Sequence, residues 1–179
     1  MTDELPGDLS VREKTERMIR VDHAGEYGAT RIYAGQLAVL GRGGKGDLLR
    51  HMQAQEQEHL HTFDGMIAAR RVRPTALLPL WHLAGFALGA VSAAMGEKAA
   101  MACTVAVEEA IDEHYNAQLE SLGVAEPELR QVVEKFRGEE LEHRDLGLEH
   151  GAEQAPGYRL MSRVIKAGCR AAIAISERI

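Results

Sequence analysis

The sequence predicts an all-α protein: a four-helix bundle with an additional apolar helical segment and a C-terminal amphipathic helix. Three observations lead there. Composition is the first: 45% of residues are hydrophobic, only 4% are aromatic and there are five prolines in 179 residues, a balance that favours helix over sheet. The second is that apolar residues recur at helical spacing over long runs, as in Leu49, Met52, Leu60, Phe63 and Ile67. The third is the punctuation, since glycine and proline clusters divide the chain into helix-sized pieces. A chain of this length fits one domain with a core of its own.

Taken in order, Ser10-Val-Arg-Glu13 reads as a capping box. It opens a helix that carries Ile19, Glu26, Tyr33 and Leu37 on one stripe and runs to about Leu40. The glycines between 41 and 46 make a loop, because each would cost a helix about 1 kcal/mol. A second helix over about 47–71 completes a hairpin spanning about 10–71. Val72-Arg-Pro74 breaks the pattern, and 75–95 is then almost wholly apolar, with His82 its only ionisable residue. A third helix begins near 96–98 and ends by Gly123. Glu126-Pro127 places proline in the first turn of a fourth, which runs to about Gly151 and closes a second hairpin over about 97–151. Ala155-Pro-Gly157 precedes a last helix, about 158–178.

Charge and cysteine usage exclude some classes. A formal charge of −6 gives no general attraction to phosphate backbones, so no nucleic-acid partner is expected. Cys103 and Cys169 lack metal-finger spacing and read as two reduced thiols packed in helices. Residues 1–10 show neither a signal-peptide pattern nor an Arg-rich transit pattern.

The chemistry lies in a spacing. Glu56-Gln-Glu-His59 and Glu140-Leu-Glu-His143 are two Glu-x-x-His motifs, each putting both side chains on one helical face. One such motif alone is more often a solvated face. Helices one and three each add a glutamate inside an apolar stripe: Glu26 between Ile19 and Tyr33, and Glu108 among Met101, Val105, Ile111 and Tyr115. Two lone glutamates and two Glu-x-x-His pairs are the ligand pattern of ferritin-like carboxylate bundles that hold two metal ions. The overlapping Glu58-His-Leu-His61 is set aside because its neighbours one and two turns away, His51, Gln55, Thr62 and Gly65, are mainly polar. The step from Glu26 to Glu56 is 30 residues and that from Glu108 to Glu140 is 32, so the spacing predicts one hairpin used twice. Four unpaired buried carboxylates would cost several kcal/mol each, a cost that two divalent cations remove. Oxygen-rich donors with two imidazoles suit Fe or Mn, although affinity order favours Zn or Cu. Asp22 and Asp112, each one turn from a candidate ligand, are expected to accept an imidazole N–H or steady a ligand. Glu109, Glu139 and Glu142 are expected to be solvated.

Several blocks resemble the Coq7 (CLK-1) family of demethoxyubiquinone hydroxylases: Arg20-Val-Asp-His-Ala-Gly-Glu-Tyr-Gly-Ala29, Arg31-Ile-Tyr-Ala-Gly-Gln36, Arg71-Val-Arg-Pro-Thr75, Ala102-Cys-Thr-Val-Ala-Val-Glu-Glu109 and Glu139-Glu-Leu-Glu-His143. The similarity runs from about Glu16 to the C-terminus. It implies an O2-dependent monooxygenase with two Fe ions per chain that hydroxylates the ring of 3-demethoxyubiquinol in the penultimate step of ubiquinone biosynthesis. The family's ligands carry over to Glu26, Glu56, His59, Glu108, Glu140 and His143, and a family pair proposed for electron entry matches His114 and Tyr115. The resemblance further implies NADH as a candidate reductant, a Coq9-like lipid-presenting partner, and a peripheral position on the cytoplasmic face of a bacterial inner membrane or the matrix face of a mitochondrial one. A homo-oligomer is a further expectation.

A polyprenyl substrate lives in the bilayer, so access requires an apolar surface. The 75–95 run is long enough to span, but one crossing would separate the hairpins and split the six residues. The segment is therefore expected to lie in the interface or to dip in and return, helped by Pro74, Pro79, Gly85 and Gly89. The last helix, with Arg159, Arg163, Lys166 and Arg170 on one stripe, reads as a basic amphipathic helix suited to anionic lipid. Two other functions compete. A ferritin-type iron-handling protein has no use for the apolar insert, and a rubrerythrin-type peroxidase would usually carry a Cys-x-x-Cys iron domain that this sequence lacks.

Overall fold

The computed structural model describes residues 9–123 and 126–179, so the reading of the N-terminus falls mostly outside the described residues. Six α-helices follow one another: α1 Val11–Leu40, α2 Gly46–Arg70, α3 Leu78–Ala94, α4 Glu97–Leu122, α5 Pro127–Glu149 and α6 Tyr158–Ser176. Among the described residues there is no strand. The expected capping box forms: Glu13 N donates to the Ser10 hydroxyl, and the Glu13 carboxylate accepts from Ser10 N at 2.9 Å. Arg130 ties the far end of α4 by donating to the carbonyls of Leu119 and Gly123.

Helices α1, α2, α4 and α5 form the bundle. α2 and α5 run antiparallel, joined at one end by Arg70 to Glu126 at 2.8 Å. Two apolar layers fill the interior. Tyr33, Leu49, Met52, Met101 and Val105 form one, and Ile19, Phe63, Leu129, Val133 and Phe136 the other. Each helix carries its charged site residues between these layers, so the polar groups are shut off from water at both ends.

The outer helices repeat the symmetry of the inner ones. α3 lies along α1 in the same direction, with Tyr27 facing His82 and Ile32 facing Gly89. α6 likewise follows α4, with Glu109 facing Lys166 and Glu113 facing Arg170. The repeated unit is therefore three helices long. Glu26 to Glu108, Tyr33 to Tyr115 and Gln36 to Gln118 are all steps of 82 residues, and Glu56 to Glu140 and His59 to His143 are steps of 84.

Two expectations for the outer helices change. α3 is a single helix of 17 residues, so it does not dip and return. Its Gly85 and Gly89 are not hinges: a Cβ at either would run into the α1 backbone at Gly28 or Ile32. No helix among the described residues is long and apolar enough to cross a membrane. On α6 half of the basic stripe is already engaged, Lys166 with Glu109 at 2.6 Å and Arg170 with Glu113 at 2.7 Å. The cause is the acidic pair one turn apart on α4, which the last helix meets along its length. Arg159 and Arg163 remain exposed.

Candidate metal centre

Glu26, Glu56, His59, Glu108, Glu140 and His143 meet between the two apolar layers, none more than 1% exposed. Helical periodicity brings them there, because each lies on the stripe that its helix turns inward. Their donor atoms form two overlapping groups, within each of which all lie inside 4.8 Å: Glu26, Glu56, His59 and Glu140 in one, Glu56, Glu108, Glu140 and His143 in the other. Glu56 and Glu140 belong to both. Glu58 and His61, the rejected overlapping motif, are exposed.

The contacts show how unsatisfied this centre is. His59 Nδ1 lies 3.1 Å from Glu140 Oε1 and 3.4 Å from Glu26 Oε2. His143 Nδ1 lies 3.1 Å from Glu56 Oε1 and 3.2 Å from Glu140 Oε2, yet makes an aligned hydrogen bond to neither. Both oxygens of Glu56 and one each of Glu26, Glu108 and Glu140 also lack a hydrogen-bond partner. Buried polar atoms are rarely left so. Orphaned acceptors converging from four helices fit cations, and hard oxygens with two nitrogens fit Fe or Mn.

Without a cation the groups lean on protons. Burial, then the charge of Glu140, pushes Glu56 and Glu108 well above the usual carboxylate range. Burial also raises Glu26. The same burial acts on Glu140, but the close imidazoles of His143 and His59 outweigh it and bring that carboxyl to about 2. Burial disfavours the His59 imidazolium, but the hydrogen bonds and charge of Glu140 and Glu26 prevail and push it up to about 11.

Two tyrosines hold the outer glutamates. Tyr33 donates to Glu108 Oε1 at 2.7 Å, and Tyr115 donates to Glu26. The role of Tyr33 could have been read from the sequence, because it follows Glu26 by the same seven residues that separate Tyr115 from Glu108. His114 turns towards Asp22 Oδ1 at 3.1 Å, an oxygen that also accepts from Gln118 at 2.6 Å. Asp22 thus accepts an imidazole N–H, but from His114 rather than from His59 or His143. Asp112 is corrected, since it pairs with Arg137 at 2.6 Å and has no hydrogen bond to any of the six. Its side chain leaves α4 towards α5, where a cation waits.

Glu139 is also corrected. It lies 2.8 Å from His59 Nε2, while Gln55 lies 3.0 Å from His143 Nε2. Both residues reach across to the opposite helix, a relation that spacing along one helix cannot show. Glu109 is engaged by Lys166, and Glu142 is exposed.

On the outer side of α1 and α4 lies an apolar cavity of about 410 Å³, roofed by α3 and α6. Gly25 and Val107, the neighbours of Glu26 and Glu108, are in its floor, with Gly28 and Ile111 beside them. Trp81 closes one side by donating to Ser176 Oγ at 3.0 Å. Exposed Leu80, Leu83, Leu160 and Val164 extend the apolar character of α3 and α6 to the surface.

The family profile described as "Ubiquinone biosynthesis protein COQ7" matches residues 13–176. The chain belongs to this family. Among its curated relatives, the Rhodospirillum rubrum protein named 3-demethoxyubiquinol 3-hydroxylase is 58% identical over 178 residues, covering 99% of this chain and 84% of the relative. A Bos taurus protein named NADPH-dependent 3-demethoxyubiquinone 3-hydroxylase, mitochondrial, is 58% identical over 172 residues, covering 94% of this chain and 79% of the relative. The Saccharomyces cerevisiae 5-demethoxyubiquinone hydroxylase, mitochondrial, is 42% identical over 181 residues, covering 92% and 78%.

Proposed function

We propose that this chain is a monooxygenase that hydroxylates the ring of 3-demethoxyubiquinol in ubiquinone biosynthesis, with two iron ions held by Glu26, Glu56, His59, Glu108, Glu140 and His143. The observation that carries the reading is the pair of overlapping donor groups sharing Glu56 and Glu140, found in a member of the COQ7 family. The overall change is a ring C–H becoming C–OH, with O2 reduced by two electrons and two protons and its second atom leaving as water. Bound iron supplies the redox chemistry that O2 activation needs.

The chain's own residues supply the rest. Four carboxylates balance the charge of two divalent ions in a site closed above and below by apolar side chains. Tyr33 and Tyr115 keep Glu108 and Glu26 oriented by donating to one oxygen of each, leaving the second oxygen free. The cavity over Gly25 and Val107 suits a flat, apolar ring and excludes water from it. His114, with Tyr115 beside it at 6.1 Å between ring centroids, is the proposed route for electrons from the surface towards Glu26. The names of the mammalian relatives carry NADPH, so a nicotinamide nucleotide, NADPH as well as NADH, is the reductant we assign.

Substrate reaches the cavity from the lipid side. The exposed apolar residues of α3 and α6 flank its opening, and Arg159 and Arg163 lie beside them, so the protein docks peripherally on a membrane surface. A ferritin-type storage function is disfavoured because it leaves the apolar cavity without a role.

Quinone analysis of a strain lacking the gene tests the reading. Accumulated demethoxyubiquinone that disappears on complementation with the wild type, but persists with Glu108→Ala, is expected. Normal ubiquinone in the deletion strain, or full rescue by Glu108→Ala, would contradict it.

A further inference from the structure

The two histidines of the centre are placed alike on their inner nitrogens and unlike on their outer ones. Nδ1 of each faces a shared glutamate: His59 faces Glu140 at 3.1 Å, and His143 faces Glu56 at 3.1 Å. On the outside, His59 Nε2 meets the Glu139 carboxylate at 2.8 Å, whereas His143 Nε2 meets the neutral Gln55 amide oxygen at 3.0 Å. Gln55 and Glu139 occupy equivalent places in the repeat, 84 residues apart and each just before a shared glutamate. The six carboxylate and imidazole residues obey the repeat, as do Tyr33 and Tyr115, so the outer partners of the two histidines are a place where the symmetry of the centre breaks.

The break has a chemical consequence. Both outer partners present an oxygen, so Nε2 keeps its proton and Nδ1 is the nitrogen that turns a lone pair inward once a cation displaces its proton. A carboxylate acceptor draws that proton towards itself and makes the imidazole a more basic ligand; an amide oxygen does so less. Two further contacts position these groups. Lys135 holds the second oxygen of Glu139 at 3.3 Å, and the Phe136 ring stacks on His59 with centroids 3.9 Å apart. Tyr33 and Tyr115 each donate to one oxygen of an outer glutamate and touch neither histidine's outer nitrogen.

We propose that Glu139, acting through His59, makes the two metal positions unequal, so that the first divalent ion settles at the His59 position and the second at the His143 position. Glu139 is a positioning residue, and the inference rests on the assignment of the six ligands above. An enzyme that fills in this order holds its more strongly bound ion beside Glu26 and Tyr115.

Sequential isotope loading of the full chain tests it. Metal-free protein takes one equivalent of 57Fe(II) without oxygen, then one of 56Fe(II), and Mössbauer spectra report where the first ion went. In the wild type one quadrupole doublet is expected to hold most of the 57Fe, and the reverse order of addition to give the other doublet. In Glu139→Gln the label is expected to spread over both, with the first binding step weakened about 10-fold or more and the second unchanged. Gln55→Glu, which gives both histidines a carboxylate, is expected to bring the doublets close to equal even if Glu139→Gln loses helicity. The double exchange restores one dominant doublet, now the other one. His143→Ala is expected to keep the tighter step and His59→Ala to lose it, which locates the positions. Equal doublets in the wild type, or a distribution unmoved by Glu139→Gln and Gln55→Glu, would overturn the inference while leaving the two-ion centre intact. A wild type that binds no iron would overturn the centre itself.

Discussion

In the first half of the molecule α3 lies backbone to backbone on α1, with Gly85 and Gly89 letting it approach the carbonyls of Gly28 and Ile32. In the second half α6 stands off α4, and ion pairs join them, Lys166 to Glu109 and Arg170 to Glu113. Beneath these unlike outer layers the inner helices have kept equivalent glutamates, histidines and tyrosines in register. The contrast separates two kinds of constraint. A centre shared by four helices fixes both hairpins together, because moving one donor leaves others orphaned and buried. The outer helices answer to packing and to a cavity between them, and each half meets those demands in its own way.

The comparison can be broken hardest at the shared glutamates. Glu56→Leu is expected to abolish iron retention and hydroxylation while raising the stability of the metal-free protein by about 1–3 kcal/mol, since both Glu56 oxygens lack a partner there. Denaturant melts of the metal-free proteins check this, and a less stable variant would contradict it. Overpacking the outer layers comes next. Gly89→Ala forces α3 away from Ile32 and is expected to cost about 1–3 kcal/mol. Lys166→Met, which breaks an ion pair that is partly solvated, is expected to cost about 1 kcal/mol or less by the same melts.

Protons sharpen the comparison further. In the metal-free centre Glu26, Glu56 and Glu108 are raised and His59 is pushed up to about 11. The proton that His59 holds at neutral pH must leave when a cation binds. Affinity is therefore expected to rise with pH up to about 11, with net proton release on binding. Calorimetry in buffers of different ionisation enthalpy measures that release, and proton uptake would refute it. The last test lies at the surface. Arg159→Glu with Arg163→Glu should weaken binding to vesicles containing anionic lipid by roughly 1 kcal/mol per charge. Vesicle sedimentation at low and high salt reads it, and the effect should fade at high salt.

The helices and their order were legible because glycine, proline and the Ser10 cap mark their ends, and the six inward residues were legible because helical spacing fixes what shares a face. What one helix faces on another was not. Glu139 looked solvated because its own helix turns it outward from Glu140, and only the position of α2 shows that it reaches His59. Asp112 seemed to belong with Glu108 one turn away, until α5 placed Arg137 against it. The repeat was visible in the hairpins but hidden in the third helices, since an apolar α3 and a basic α6 share no pattern of residue types. Their equivalence lies in direction and contact.

The central claim is that four buried glutamates and two buried histidines are a site for two cations. Iron should be counted per chain after anaerobic loading and gel filtration, alongside His59→Ala/His143→Ala. About two ions per wild-type chain and a large loss in the double variant are expected. A wild type that emerges empty, or a double variant that retains as much iron as the wild type, would contradict the account.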